Sequence, residues 1–560
     1  MDRRHFLLTS GASLGALLMT RVPLSHASDA GAQGIIAYPD AVRVVTDTGA
    51  FPLVSTDHAQ WSARDVAVHL VPIAGALAVD VASPLADLQT VILEWKHGRP
   101  ASASFLGDQW ERSYADLHWG AIDAQRIMPW YFMEWNGRTA NGFGVRTGCN
   151  ALCFWQAGTD VLTLTLDVRN GGAGVRLGDR TLRGAEIVTR TGSEGESAFD
   201  ATRAFCAQMC PSPRLPRQPV YGINDWYFAY GRNSAQLIMD HVALMAPLAA
   251  GNTNRPYCVI DAGWYAMAPT RPEDAAWGDD FGRSNERFGD MAALAGRIAA
   301  EGMHPGLWMR PLCASASDPK HLLLPKIPGR DAADAPVLDP TIPENLARVA
   351  GHLHTYRQWG YVMVKHDFTC WDIFGKWGPA MIASRDITTP GWTFADRSKT
   401  TAEVILGLYR TIREAAGDIC LIGCNTISHL SAGIHELQRI GDDTSGLEWT
   451  RTWKYGVNTL GFRIPHHGTF YAADGDCVGL TTKVPWAKNR QWMRLVAESG
   501  TPLFISAQHE AVGTEQRAAI RESFQTASMV NPPGEPLDWL TNPTPAHWRL
   551  RGREETFAWG

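Results

Sequence analysis

"PENLARVAGHLHTYRQWGYVMVKHD" (residues 343–367) changes its period partway along. Up to Gly360 apolar residues recur three and four apart and the run ends in glycine, which predicts a helix. From Tyr361 a short apolar run replaces it and stops at Lys365-His366-Asp367, which predicts a buried strand with a carboxylate at its end.

The same alternation extends from about residue 219 to about 510. Strand-like pieces are "PVYGINDW", "YCVIDAGW", "HPGLWM", "YVMVKHD", "ICLIGCN", "LQRIGDD", "TFYAAD" and "PLFIS". Between them lie helical stretches such as "RFGDMAALAGRIAAEG", "TAEVILGLYRTIREAAG" and "QWMRLVAESG". Strands separated mostly by helices predict a (β/α)8 TIM barrel over residues 215–515.

Before the proline-rich linker "CPSPRLPRQP" (210–219) the rhythm differs. Short runs such as "TVILEWKHG", "PWYFMEWNG" and "VLTLTLDVRNGG" alternate apolar and polar residues and break at glycine turns. This predicts an antiparallel β-sandwich over residues 34–205. Its tryptophans read either as core and inter-domain packing or as sugar-stacking platforms. Residues 520–560, ending "HWRLRGREETFAWG", read as a short C-terminal β-segment.

Composition narrows the function classes. With 45% hydrophobic residues the 560-residue chain is far from disordered, and its formal charge of -6 offers no nucleic-acid-binding stripe. Residues 1–27 carry Arg3-Arg4 ahead of an apolar stretch and end in "SHA", which resembles a twin-arginine export signal. The expected location is therefore periplasmic or secreted, with no stable membrane span after signal removal. Ten cysteines are too few for a disulfide scaffold, and Cys149/Cys153 and Cys206/Cys210 lack zinc-site spacing. Buried thiols are expected, with a disulfide open in an oxidising compartment. His366, His466 and His467 form no ligand pattern, so no metal and no cofactor are expected.

In a barrel of this kind functional residues gather where strands end. The residues there are Trp226, Asp261, Arg310, Lys365, Asp367, Asn425, Arg439, Asp442, Asp443, Asp474 and Asp476, with Trp264 alongside. Recurrent carboxylates with aromatic neighbours suit a polyhydroxylated ring, and two carboxyl groups can cleave an acetal with retention. Asp367 would be the nucleophile, kept ionised by Lys365 two residues earlier on the same strand face. Asp442 and Asp443 supply the acid, since two adjacent carboxylates disfavour double ionisation. The structural alternative is a buried Lys365–Asp367 ion pair, with Asp442 or Asp443 capping a helix.

These motifs resemble those of the α-galactosidases of glycoside hydrolase families 27 and 36. "YVMVKHDF" is similar to their Lys-x-Asp nucleophile motif, "RIGDD" to their Arg-x-x-x-Asp acid/base motif, and "GINDW" and "VIDAGW" to their first two strands. "AADGDCVG" and "GTPLFIS" are similar to their seventh and eighth. The resemblance implies an α-galactosidase-like retaining glycosidase acting on oligosaccharides or glycosides. It implies Asp367 as nucleophile, Asp443 as acid/base, and Trp226, Asp261, Lys365, Asn425 and Arg439 as sugar contacts, with Asp474 and Asp476 partly structural.

Two positions depart from the family. Its Asp-Asp pair is here Asp261-Ala262, and Arg310 stands where glutamate is frequent. Arg310 would either bind an anionic substituent or pair with a neighbouring carboxylate. An α-glycosidase of different or acidic sugar preference, and a non-catalytic glycan-binding protein on the same barrel, are the rival expectations.

Overall fold

The computed structural model describes residues 36–96, 98–266, 280–328, 335–382 and 384–560. The export-signal reading of residues 1–27 lies outside them. Two antiparallel sheets form the N-terminal region. One has six strands, ordered Gly49–Pro52, Ala41–Thr46, Leu88–Lys96, Val161–Asp167, Leu152–Ala157 and Asp123–Pro129. The other has eight, with Val66–Ile73, Ala76–Ala82, Leu182–Arg190, Ala140–Val145 and Tyr131–Trp135 at its centre. Period-two burial in Ala41–Thr46 explains the pleated pairing. Phe132 of the eight-stranded sheet meets Trp155 of the six-stranded one edge-on at 5.9 Å, so the two inner faces share a core.

Past the linker, nine strands form one all-parallel sheet. They are β1 (Tyr221–Asn224), β2 (Tyr257–Ile260), β3 (His304–Met309), β4 (Met363–His366), β5 (Cys420–Gly423), β6 (Leu437–Arg439), β7 (Ala472–Asp474), β8 (Val478–Leu480) and β9 (Leu503–Ala507). The spatial order is β7-β6-β5-β4-β3-β2-β1-β9-β8. All eight expected strands are present. The expected single seventh strand is instead two short pieces, β7 pairing with β6 and β8 with β9, and β7 and β8 do not pair with each other. The sheet is thus a curled parallel one with a break in its hydrogen bonding between Asp474 and Val478.

Val259, Met363, Ile422, Leu437, Ala472 and Phe504, one from each of six strands, pack into a small cluster on one side of this sheet. That clustering marks the concave face. By alternation Lys365 and Asp367 follow Met363 onto it, whereas His366 turns outward against Tyr409. Tyr409 belongs to the helix Thr401–Ala416, whose start is fixed by a capping box between Thr400 and Glu403. Pro343–Trp359 is helical as expected and ends at Gly360, which takes φ +91°.

A long connection of the N-terminal region, "DQWERSY" (108–114), leaves its own sheets and docks on the end of β6. Ser113 donates its N–H to Ile440 O at 3.0 Å and accepts from Asp442 N–H at 3.0 Å. Arg463 anchors the segment. Its Nε meets Asp108 Oδ1 at 2.7 Å, and its other nitrogens donate to the carbonyls of Glu111, Gln109 and Ile440. Both members of the ion pair are buried. After the helix Thr514–Ala527 comes a three-stranded antiparallel sheet, Glu535–Pro536, His547–Leu550 and Arg553–Thr556. Replacing Arg463 by Met strands Asp108 and three carbonyls, and urea unfolding is expected to show a loss of about 3–5 kcal/mol. A loss below about 1 kcal/mol, the range of an exposed pair, would show that the pair does not hold the segment.

Candidate active site

The end of β4 presents Asp367 with three donors around it. Trp308 Nε1 on β3 donates to Oδ2 at 3.0 Å, and the backbone N–H groups of Phe368 and Asn425 donate to Oδ1 at 2.7 and 3.0 Å. Phe368 adopts φ +67°, an unusual conformation for a bulky residue, and this turn aims its amide back at the carboxylate. Burial disfavours the charge on Asp367, but Lys365, Arg112 and the Trp308 N–H outweigh it and hold the carboxyl below its ordinary range. Such a group rests ionised, as a nucleophile must.

Lys365 does not pair with Asp367. Its ammonium lies 2.7 Å from Asp261 Oδ2, which also accepts from Asn224 Nδ2 at 2.7 Å. Burial opposes its charge, but the Asp261 carboxylate dominates and holds Lys365 protonated well above the usual range. Lys365 still acts on Asp367 through its field rather than by contact.

Asp443 lies about a third open to solvent, its side chain 38% exposed. Oδ1 accepts from Arg439 Nη2 at 3.2 Å and from Arg112 Nη1 at 3.3 Å. Asp442 points elsewhere, toward Arg451 at 2.8 Å and Arg112 at 3.5 Å. The expectation that the adjacent carboxylate keeps Asp443 protonated fails here. Burial raises the pKa of Asp443, yet Arg439, Arg112, Lys365 and Arg451 outweigh it and pull it down to about 2. Four cations overcome the cost of burial.

The remaining expected residues divide. Trp226 is half-buried at the start of the short helix Trp226–Ala229, its ring 5.6 Å from Tyr230. Asn425 is buried, and its side chain is committed to Glu111 Oε2 at 2.8 Å and to the Trp371 N–H at 3.2 Å. Asp476 accepts from Arg439, Thr444 and Tyr227 and knits the loop after β6 to that after β7. Asp474 is buried beside it and accepts the Asp476 N–H at 2.9 Å.

Two residues expected at the pocket belong to the core. The Trp264 ring is fully buried against Tyr265, Phe281, Tyr356 and Trp359, and its Nε1 donates to Trp308 O at 2.9 Å. A ring enclosed in this way has no face to offer a sugar. Arg310 is likewise fully buried, in a bidentate ion pair with Asp372 at 2.5 Å and over the Phe368 ring at 4.5 Å. Of its two readings, the geometry is that of the salt bridge.

Sequence reading did not find Glu111, Arg112, Asp225 and Trp308. Glu111 and Arg112 come from the docked segment, 300 residues away along the chain, and the only local hint is a charged pair inside an aromatic stretch. Asp225, buried beneath β1, accepts the Asp261 N–H at 2.7 Å. Among the described residues no group of three His, Cys, Asp or Glu side chains is arranged to hold a metal ion. All ten cysteines are free thiols, so neither four-residue pair forms a disulfide.

Burial pushes Glu111 up to about 7, burial with the nearby Asp261 pushes Asp225 up to about 7, and burial pushes Asp474 up to about 6. Raised carboxyls bind protons more tightly folded than unfolded, so their contribution is complete below the unfolded pKa and is lost as pH rises through the folded one. These three carboxyls therefore favour the folded state less at about pH 7 than at about pH 5, but His241, His352, His366, His429, His435, His466 and His467, which burial keeps neutral, favour it more, and the melting temperature is expected to rise over that range. Glu111→Gln, which copies the protonated form, should steepen that rise in calorimetric scans at the two pH values, and an unchanged slope would show that Glu111 does not titrate there.

No protein-family model matches the chain, and no curated protein matches it. Solved structures do. The chain is similar to the α-galactosidase of Thermus thermophilus in complex with p-nitrophenyl α-D-galactopyranoside, with TM-score 0.58, 17% identity, and coverage of 93% of this chain and 99% of that one. It is similar to the Lactobacillus brevis α-galactosidase, with TM-score 0.57, 13% identity and coverage of 87% and 72%. It is also similar to the family 36 α-galactosidase of Geobacillus stearothermophilus in complex with 1-deoxygalactonojirimycin, with TM-score 0.56, 12% identity and coverage of 87% and 75%. The sandwich-like region and the curled parallel sheet thus share the fold of these α-galactosidase structures.

Proposed function

We propose that the chain is a retaining α-glycosidase of α-galactosidase type, its parallel sheet working as a (β/α)8 barrel, exported by a twin-arginine signal. The observation that carries the reading is the Asp367 carboxylate, ionised and gripped by one indole and two backbone donors at a strand end, with a second carboxylate, Asp443, near enough for its charge to act on it. Among the similar solved structures are an α-galactosidase in complex with an aryl α-galactoside and another in complex with 1-deoxygalactonojirimycin.

In this reading Asp367 attacks the anomeric carbon while Asp443 protonates the leaving oxygen, and Asp443 then takes a proton from the water that releases the sugar. Trp226 stacks on the ring, and Lys365 with Asp261 contacts its hydroxyls. Export itself is checked by fusing residues 1–27 to a reporter, and a reporter retained in the cytoplasm would refute it.

Since Arg310 is spent on Asp372, the site offers no support from that residue for an acidic sugar. Ala262 remains the reason to expect a preference other than plain galactose. A panel of p-nitrophenyl α-glycosides decides this, because a strong preference for the galactoside removes that second reading.

Asp367→Ala is expected to abolish turnover of every active aryl glycoside, and unchanged turnover would refute the mechanism. Proton NMR of the first product should show the α-anomer. Asp443→Ala should lose on the order of 10²–10⁴ in rate on a disaccharide and much less on an activated aryl glycoside, whose leaving group needs no proton. Binding without hydrolysis on prolonged incubation would instead mark a glycan-binding protein.

A further inference from the structure

Of the cations acting on Asp443, Lys365, Arg439 and Arg451 come from the parallel-sheet region, and among the described residues Arg112 alone comes from the N-terminal region. It comes from the docked segment 108–114, and the Ser113 ladder to Ile440 and Asp442 fixes its backbone one residue away. Its side chain is 7% exposed and packs against the Tyr114 ring at 5.8 Å. From there Nη1 reaches Asp443 Oδ1 at 3.3 Å and Nη2 reaches Asp442 Oδ1 at 3.5 Å. Arg439 approaches the same Oδ1 of Asp443 from β6. The carboxylate is thus held between a barrel arginine and a sandwich arginine through one oxygen.

We propose that Arg112 is a positioning residue that the N-terminal region contributes to the cleavage site, clamping Asp443 against Arg439 and setting the pH range in which that carboxyl carries a proton. The inference rests on the reading of Asp443 as the acid/base. A guanidinium at this distance favours the ionised carboxylate, which suits the base of the second step and restricts the acid of the first. The other charged or titratable groups acting with Asp443 are Lys365 from β4, Arg439 from β6, Arg451 from the helix Trp449–Arg451, the carboxylates of Asp367 and Asp442, and the phenols of Tyr227 and Tyr230. The Asp443 side chain is partly open to solvent, so substrate can reach it while Arg112 stays behind it.

The test is the pH profile of kcat/KM for Arg112→Gln and Arg112→Lys. Two substrates are compared, the p-nitrophenyl glycoside the panel selects and a disaccharide with the same terminal sugar. On the disaccharide the alkaline limb should move up by about one unit or more in the glutamine variant, the scale of one close opposite charge. Lysine keeps the charge without the forked reach and should give an intermediate limb. If neither variant moves the limb, and activity falls equally on both substrates, Arg112 is structural and the inference is overturned; the lysine profile decides alone if the glutamine variant does not fold. Asp443→Ala is run in parallel. An equal loss on both leaving groups would overturn the acid/base reading and this inference with it. A selective loss on the disaccharide with unmoved Arg112 limbs would overturn this inference alone.

Discussion

Everything at the site depends on the docking of residues 108–114 against the end of β6. Two backbone hydrogen bonds from Ser113 and four donors from Arg463 place a charged dipeptide, Glu111-Arg112, beside the candidate site. Buried charge is tolerated only when partnered, and here both residues find partners on the other region of the molecule. Glu111 accepts from Asn425, whose own amide holds Asp367, while Arg112 meets Asp443. One loop therefore touches the supports of both candidate carboxylates.

The polar residues of the concave face form a connected network rather than isolated pairs. Asp225 orients Asp261, Asp261 holds Lys365, and Lys365 biases both Asp367 and Asp443. Arg439 is shared between Asp443 and Asp476, and Asp476 joins the loops after β6 and β7. In such a network the ionisation of one carboxyl is a property of the whole. This is why Asp443 rests as an anion although a second carboxyl adjoins it in sequence.

Much of the fold was legible from local pattern. The strands at 363–366 and 420–423 follow from short apolar runs bounded by helices, and the helix Thr401–Ala416 from its spacing and the glycine after it. The split of the seventh strand was not legible, because three-residue strands carry too little pattern to divide. Trp264 and Arg310 misled for a related reason. Period and strand position say which residues lie near a strand end, but not whether a neighbour such as Asp372 or Tyr356 encloses them.

The sequence by itself determined the order of strands and helices and the carboxylates at their ends, since period and residue type are local properties. It also determined the resemblance that singles out Asp367 and Asp443. Only the tertiary structure decided what surrounds those carboxylates. Lys365 binds Asp261 rather than Asp367, and Arg112 reaches Asp443 across 331 positions of chain. Contacts of that span depend on how the N-terminal region docks on the parallel sheet, and no local period encodes that docking.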